Sequence, residues 1–313
     1  MSERVAYFKI AGIEDVWNKQ TQKMDTVQTS TLFQIGQDSS LINKYDSYIN
    51  LNISFDIPYM GNSVVPMDAK FSIDNIEPNL KKSIATNVSI FQDRKRKIEF
   101  WCGYKDNERK LFDGRIEKAY FSGMPDSTLY INAWTSLYSM GNPVKIKFNG
   151  IKAISLLEDA VRKCGMTLNI TNEIKNNPQL QRIVPFFSFE DSAYAYLTRV
   201  IRDITSFNLI KDQIIISVEN NIVYVRYAEK LNNIKPIEIG YWNGMVGRPE
   251  PTAMGVNIRM ILNPNFYVGQ TIELNSTEDE LYNGFYNIYG TVFHGNTRDE
   301  EFYTDLICQR ITK

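Results

Sequence analysis

Gly255-Val256-Asn257-Ile258-Arg259-Met260-Ile261-Leu262-Asn263-Pro264 is the stretch on which the fold turns. Val256, Ile258, Met260 and Leu262 alternate with Asn257, Arg259 and Asn263, and a period of two gives a strand with one face in a core and the other in water. Pro264 has no N–H to give to a ladder, so it stops the strand that Leu262 ends. The same alternation stands far upstream. There Ile49, Leu51, Ile53, Phe55 and Ile57 alternate with Asn50, Asn52, Ser54 and Asp56, until Pro58 and Gly61-Asn62 break the run.

Outward from these two stretches, strands are predicted at Val5–Ile10, Thr31–Ile35, Ala69–Ile73, Ile98–Tyr104, Leu111–Phe121 and Ser127–Ala133. Lys105-Asp106-Asn107-Glu108 would join two of them as a hairpin, and Gly123-Met124-Pro125-Asp126 would turn into the last. After Gly141-Asn142-Pro143 the period changes. Ile154, Leu157, Val161 and Cys164 fall on one helical face, with Gly165 as its stop. Ser188 and Asp191 have capping-box spacing ahead of a second stripe, Ala193, Leu197, Val200, Ile201 and Ile204. Ile214–Val218 and Ile222–Tyr227 form a hairpin across Glu219-Asn220-Asn221. Strands then return at Thr271–Leu274, Phe285–Tyr289 and Phe302–Ile311. The expected fold is mainly β with an α+β insert: a β-barrel or sandwich domain over 1–145, the insert over 146–235, and a second, similar β domain over 236–313.

Composition excludes several functions. The chain has 313 residues, with Lys+Arg 35 against Asp+Glu 36. That balance lacks the basic excess of a domain dedicated to nucleic acid. One histidine, His294, rules out His-cluster metal sites. Cys102, Cys164 and Cys308 are far apart and form no CxxC pair, so they read as free thiols in a reducing interior. Met1–Gly12 is too polar for a secretory leader, and no apolar run approaches the roughly 20 residues that span a bilayer. Synthesis in the cytoplasm and no membrane partner are the expectations.

Chemistry-bearing patterns are sparse. There is no GxSxG elbow, no GxxxxGK[ST] loop and no GxGxxG between strand and helix. His294 would need Asp299 or Glu300 to orient it as a base. Glu158-Asp159, Glu190-Asp191 and Glu278-Asp279-Glu280 are the visible acidic clusters, each with a structural explanation at a helix, a helix start or a loop. Arg94-Lys95-Arg96-Lys97 reads as a solvated edge that discourages strand pairing. Tyr241-Trp242 and Tyr282, Phe285, Tyr286 and Tyr289 have the residue types of a sugar platform, yet Tyr and Phe also simply fit a half-buried pleat. No catalytic residue, cofactor or metal is expected.

Gly247-Arg248-Pro249, the Gly255–Pro264 strand, Val268-Gly269-Gln270-Thr271-Ile272-Glu273-Leu274, Asn283-Gly284-Phe285-Tyr286-Asn287-Ile288, Phe293-His294-Gly295-Asn296-Thr297 and Phe302-Tyr303-Thr304-Asp305-Leu306 follow one another in order. This series resembles the closing β domain of phage baseplate hub proteins. Leu111-Phe112-Asp113-Gly114-Arg115-Ile116 and Leu129-Tyr130-Ile131-Asn132-Ala133 are similar to the hairpin of the first hub domain. The motif positions singled out are Gly114, Gly247, Pro249, Gly255, Pro264, Gly269, Gly284 and His294. The resemblance implies two tail-tube-like β-barrels per subunit and a homotrimeric ring in the virion baseplate of a contractile tail. That ring would adapt a hexameric tail tube (or tube initiator) to a trimeric spike, with the tape-measure protein and other baseplate proteins as further partners and no sequence-specific nucleic acid. Two other readings stand beside it. A tail-associated wall hydrolase would depend on Glu158, Glu190 or His294, and a host-carbohydrate module on Tyr241 or Trp242.

Overall fold

The computed structural model describes residues 4–18, 23–37, 51–62, 68–76, 97–105, 107–122, 127–135, 141–206, 213–232 and 235–311. Side chains of 11–37 are not described. The predictions for 49–50, Arg94–Arg96 and Gly123–Asp126 lie outside the described residues. Strand far outweighs helix among the described residues, so the fold is mainly β, as the alternation indicates. No described helix is long and apolar enough to cross a membrane.

The chain divides into two compact units, both discontinuous in sequence. The first comprises Met1–Ile57, Asp68–Thr135 and His294–Phe302. Its strands are β1 (Arg4–Asn18), β2 (Lys23–Gln37), β3 (Ile53–Met60, the last three residues belonging to the other unit), β4 (Asp68–Asp74), β5 (Lys97–Tyr104), β6 (Asn107–Ser122) and β7 (Thr128–Trp134). They run in the order β3-β4-β7-β6-β5-β1-β2, each neighbour antiparallel. Burial alternates residue by residue along β4 and β7. The buried faces meet around Phe100, whose ring centroid lies 4.8–5.0 Å from those of Phe8, Phe55 and Phe71. Each such buried ring contributes about 1.5–3 kcal/mol relative to exposure.

The second unit comprises Pro58–Met67, Ser136–Phe293 and Tyr303–Lys313. β8 (Pro143–Lys152) pairs with β10 (Ile183–Ser192) as a two-stranded sheet. β9 (Thr167–Asn169), β11 (Ile214–Glu219) and β12 (Ile222–Tyr227) form a three-stranded one. Helices α1 (Ala153–Lys163) and α4 (Ala193–Thr205), with the short α2 (Asn172–Lys175) and α3 (Pro178–Gln181), pack a core between these sheets. The remaining strands are β13 (Ile237–Ile239), β14 (Met245–Pro251), β15 (Gly255–Ile261), β16 (Thr271–Leu274), β17 (Gly284–Asn296, the last three residues belonging to the first unit) and β18 (Phe302–Arg310, its first residue likewise). They build a sheet in the order β14-β15-β18-β17, with β16 on β17 and β13 on β16. It has a core of its own, centred on Ile258, Ile272, Tyr286, Ile288 and Leu306.

Local sequence explains the punctuation. α1 ends in a Schellman motif: Gly165 takes φ +71°, and the N–H groups of Gly165 and Met166 donate to Arg162 O and Val161 O. Asn220 and Asn221 both have positive φ, as a two-residue hairpin turn between β11 and β12 demands. The start of α4 corrects the capping-box expectation. Ser188 lies inside β10, paired with Lys147 of β8. The cap is Ser192, whose hydroxyl oxygen accepts from Ala195 N–H at 3.2 Å. The ladder to β8 holds the chain extended for four residues longer than the spacing suggested.

Candidate functional site

The carboxylate clusters are tied into the fold. Glu158 pairs with Lys175 at 3.7 Å. Asp159 pairs with Arg162 and accepts from the Tyr196 hydroxyl at 3.3 Å. Glu190 meets Lys145 of the paired strand at 2.8 Å, and Asp191 accepts from Ser192 N–H. Glu278 and Asp279 both approach Arg248. Among the described residues no three His, Cys, Asp or Glu side chains are placed to hold a metal. His294 is half-buried in β17, two residues before the strand ends at the bend over 297–300. Trp242 is exposed in a single 3-10 turn, while Tyr286 is core.

The motif positions shape backbone instead. β14 is an edge strand of its sheet in this unit. Gly247 takes φ +71°, the register with β15 shifts between Val246 and Glu250, and Pro249 is buried. Gly247 and Pro249 therefore make a bulge, and Pro249 and Pro251 carry no N–H to donate, which blunts pairing with another chain. A cavity of about 460 Å³ lies over the bulge, with Arg248, Glu250 and the Arg259–Asp305 pair in its lining; Arg259 donates to both Asp305 carboxylate oxygens. A Cβ on Gly255 would lie 2.2 Å from Cys308 O, and one on Gly114 2.2 Å from Trp134 O. Strand backbones pass too close for any side chain there. Pro264 follows Asn263, whose Oδ1 accepts from Asn265 N–H. Gly284 opens β17 at φ +144°.

Gly269 takes φ +82° and lies against the stem of Arg226. The Arg226 guanidinium sits 4.2 Å from the Tyr224 ring centroid and 4.7 Å from that of Tyr267. It donates to Glu219 and to Val268 O. A buried amide network lies beside this clamp. Asn287 Nδ2 faces Tyr227 O, Ala228 O and Lys230 O at 3.2, 2.9 and 2.8 Å, and its Oδ1 accepts from Thr271 at 2.7 Å. Within the second unit these residues bind the segment after β12 to β16 and β17. Sequence reading passed over Asn287 because it stands at an ordinary strand position.

In the first unit, the Leu111–Ile116 motif carries a bulge. Phe100 pairs with Phe112 and Trp101 with Lys110, leaving Leu111 without a register partner. Lys110 and Asp113, three apart, thereby reach one face. With Lys97 and Glu99 they close a ring of ion pairs at 2.7–3.7 Å. Burial acts to raise the Glu99 carboxyl pKa, but the hydrogen bond from Lys97 and the charges of Lys110 and Lys97 outweigh it and hold the pKa below its ordinary value. Lys97 pairs with Arg115 of β6, and the ladder from β5 to β1 begins one residue later, at Ile98. The Phe293–Thr297 motif acts through Asn296 and Thr297. Thr297 exchanges hydrogen bonds with Ile53, and Asn296 Oδ1 accepts from Arg298 and Asp299 N–H. Arg4 donates to the carbonyls of Asn296, Asp299 and Glu300. A short piece from the end of the chain is thus built into the first unit.

The motif residues shape strand edges and turns, and the acidic clusters are held in ion pairs and hydrogen bonds within their units. The sequence profile described as "Baseplate hub gp41" matches residues 32–308. The chain belongs to the baseplate hub gp41 family. It is a phage baseplate and tail structural protein. No curated protein sequence matches it. Solved structures agree on the fold. The tail protein from Neisseria meningitidis MC58 superposes with a TM-score of 0.56 at 7% identity, over 98% of this chain and 96% of that one. The 43 kDa tail protein of prophage MuSo2 from Shewanella oneidensis gives 0.53 at 8%, over 83% and 98%. An Escherichia coli type VI secretion component, described as structurally similar to the T4 tail proteins gp27 and gp5, gives 0.57 at 8%, over 84% and 75%.

Proposed function

We propose that three copies of this hub form a ring that adapts a hexameric tail tube, or its initiator, to a trimeric spike in a contractile tail, with the tape-measure protein and other baseplate proteins as neighbours. Each copy contributes two alike β-barrels, drawn from 1–145 and 236–313, flanking an α+β insert over 146–235. Threefold and sixfold symmetry then meet without strain. The observation that carries this reading is family membership across residues 32–308, and a fold shared with tail proteins supports it. Stiff β units and a guarded β14 edge suit a part that transmits force and must not aggregate. Its role is geometric and not enzymatic, and its place is the virion baseplate after synthesis in the host cytoplasm. The test is the mass of the purified chain by light scattering, alone and with the spike and tube proteins of the same phage. A complex holding three hub chains is expected. A species of 36.2 kDa that binds neither partner overturns the proposal.

A further inference from the structure

The first hairpin outruns its sheet. β5 pairs with β1 only as far as Ile10↔Ile98, whereas β1 and β2 continue together from Gly12↔Thr29 to Asn18↔Lys23. Seven residues per strand extend about 20–25 Å at the usual strand rise. Among the described residues no third strand covers this distal half. A two-stranded hairpin is marginally stable by itself in water, so the extension gains from a third strand laid beside it. Its β1 strand, Gly12–Asn18, whose β5-side edge is unpaired among the described residues, carries Glu14 and Asp15 and no basic residue.

An acceptor of opposite charge exists on the same chain. β8 pairs only with β10 among the described residues, which leaves its other edge open. It carries Lys145, Lys147 and Lys152 and no acidic residue. Between Val144 and Asn149 it has neither proline nor a break in register, unlike β14. Edge lysines repel neutral or basic strands, but an acidic strand turns the same charges into selectivity.

We infer that the distal half of the β1–β2 hairpin is an assembly arm that adds beside β8 of a second copy of this chain, acidic strand against basic strand. The inference rests on the ring reading and names one of its contacts. A head-to-tail contact of this kind closes after three copies only if the rotation is threefold.

Mixing singly substituted chains isolates contacts between copies. Chains with Glu14→Cys, Asp15→Cys or Val16→Cys are each mixed with chains carrying Lys145→Cys, Lys147→Cys or Asn149→Cys and oxidised. Facing strand residues have Cα atoms about 4.5–5.5 Å apart, within disulfide reach. The native thiols are buried. At least one mixture is expected to give a disulfide-linked pair, and adding Lys145→Glu with Lys147→Glu to the β8 partner should reduce its yield at least tenfold. A chain with residues 13–28 replaced by Asn-Gly should keep its unfolding midpoint and lose the trimer. Trimers that never cross-link and survive the deletion overturn the arm while leaving the ring standing. A disulfide formed within one diluted chain carrying both Glu14→Cys and Lys147→Cys also overturns it. Failure of the unaltered chain to assemble with spike and tube overturns the ring and the arm together.

Discussion

Replacing Asn287 by alanine should show how the second unit is stitched. Asn287 is 2% exposed, and its amide serves three carbonyls and one hydroxyl. Tyr227 O keeps another partner, since Asn232 Nδ2 still donates to it. Lys230 is exposed. Two buried groups are left: Ala228 O loses its amide donor, and the Thr271 hydroxyl loses the acceptor of its proton. With about 1–3 kcal/mol for each buried group left unsatisfied, Asn287→Ala should cost about 2–6 kcal/mol. At about 2–4 °C per kcal/mol for a unit of this size, the midpoint should fall by about 4–24 °C. Asn287→Asp is the sharper probe, because a carboxylate would face the same carbonyls. Burial and carbonyl dipoles raise the pKa of such a group in the folded state. Its folded-state advantage is then present below the unfolded value near 3.9 and is lost as pH rises through the raised one. Denaturant unfolding should therefore place Asn287→Asp below Asn287→Ala at pH 7, with the gap narrowing toward pH 4. If Asn287→Ala unfolds within about 0.5 kcal/mol of the unaltered chain, as an uninvolved surface position would, the stitching role is refuted.

The corrected helix start predicts that Ser192→Ala costs about 1 kcal/mol of stability and that Ser188→Ala costs almost nothing; equal effects in thermal melts would count against the cap assignment. Gly269→Ala adds a Cβ 2.4 Å from Arg226 Cδ at φ +82°, so a loss of about 2–4 kcal/mol is expected from backbone strain and the displaced guanidinium, and an unchanged melt would refute the close approach. The lowered Glu99 pKa means that its ion ring stabilises the fold above the ordinary value of 4.5 and fades as pH falls below it. The stability difference between the unaltered chain and Glu99→Gln should thus shrink on acidification and in high salt; a difference flat across pH 3–7 would contradict the ring.

Alternation was the legible part of this sequence. Val256 to Leu262 and Ile53 to Ile57 bury alternate residues because one face meets a core, and that depends only on local pattern. Helix α1, with Gly165 to end it, and the Asn220-Asn221 turn were readable for the same reason: each is set by a few adjacent residues. Pairing partners were not legible. Period two says that a face is buried but not against what, so nothing in His294–Phe302 announced that it would join Ile53 and Arg4 in the first unit. The false cap at Ser188 came from spacing that fits a helix start but lies within a ladder. Asn287 and Arg226 were missed because one polar residue in a strand looks like a solvated position until its carbonyl or ring partners are brought to it. The motif glycines were legible as backbone devices. Assembly surfaces carry no local period, so none could be read from the sequence.

The most direct test of the symmetry-matching account is an averaged electron-microscopy view down the axis of the hub bound to its spike and tube. The account predicts threefold order with six alike β densities around an open channel, two from each chain. A ring of another order, or three chains whose terminal domains differ in fold, would contradict it.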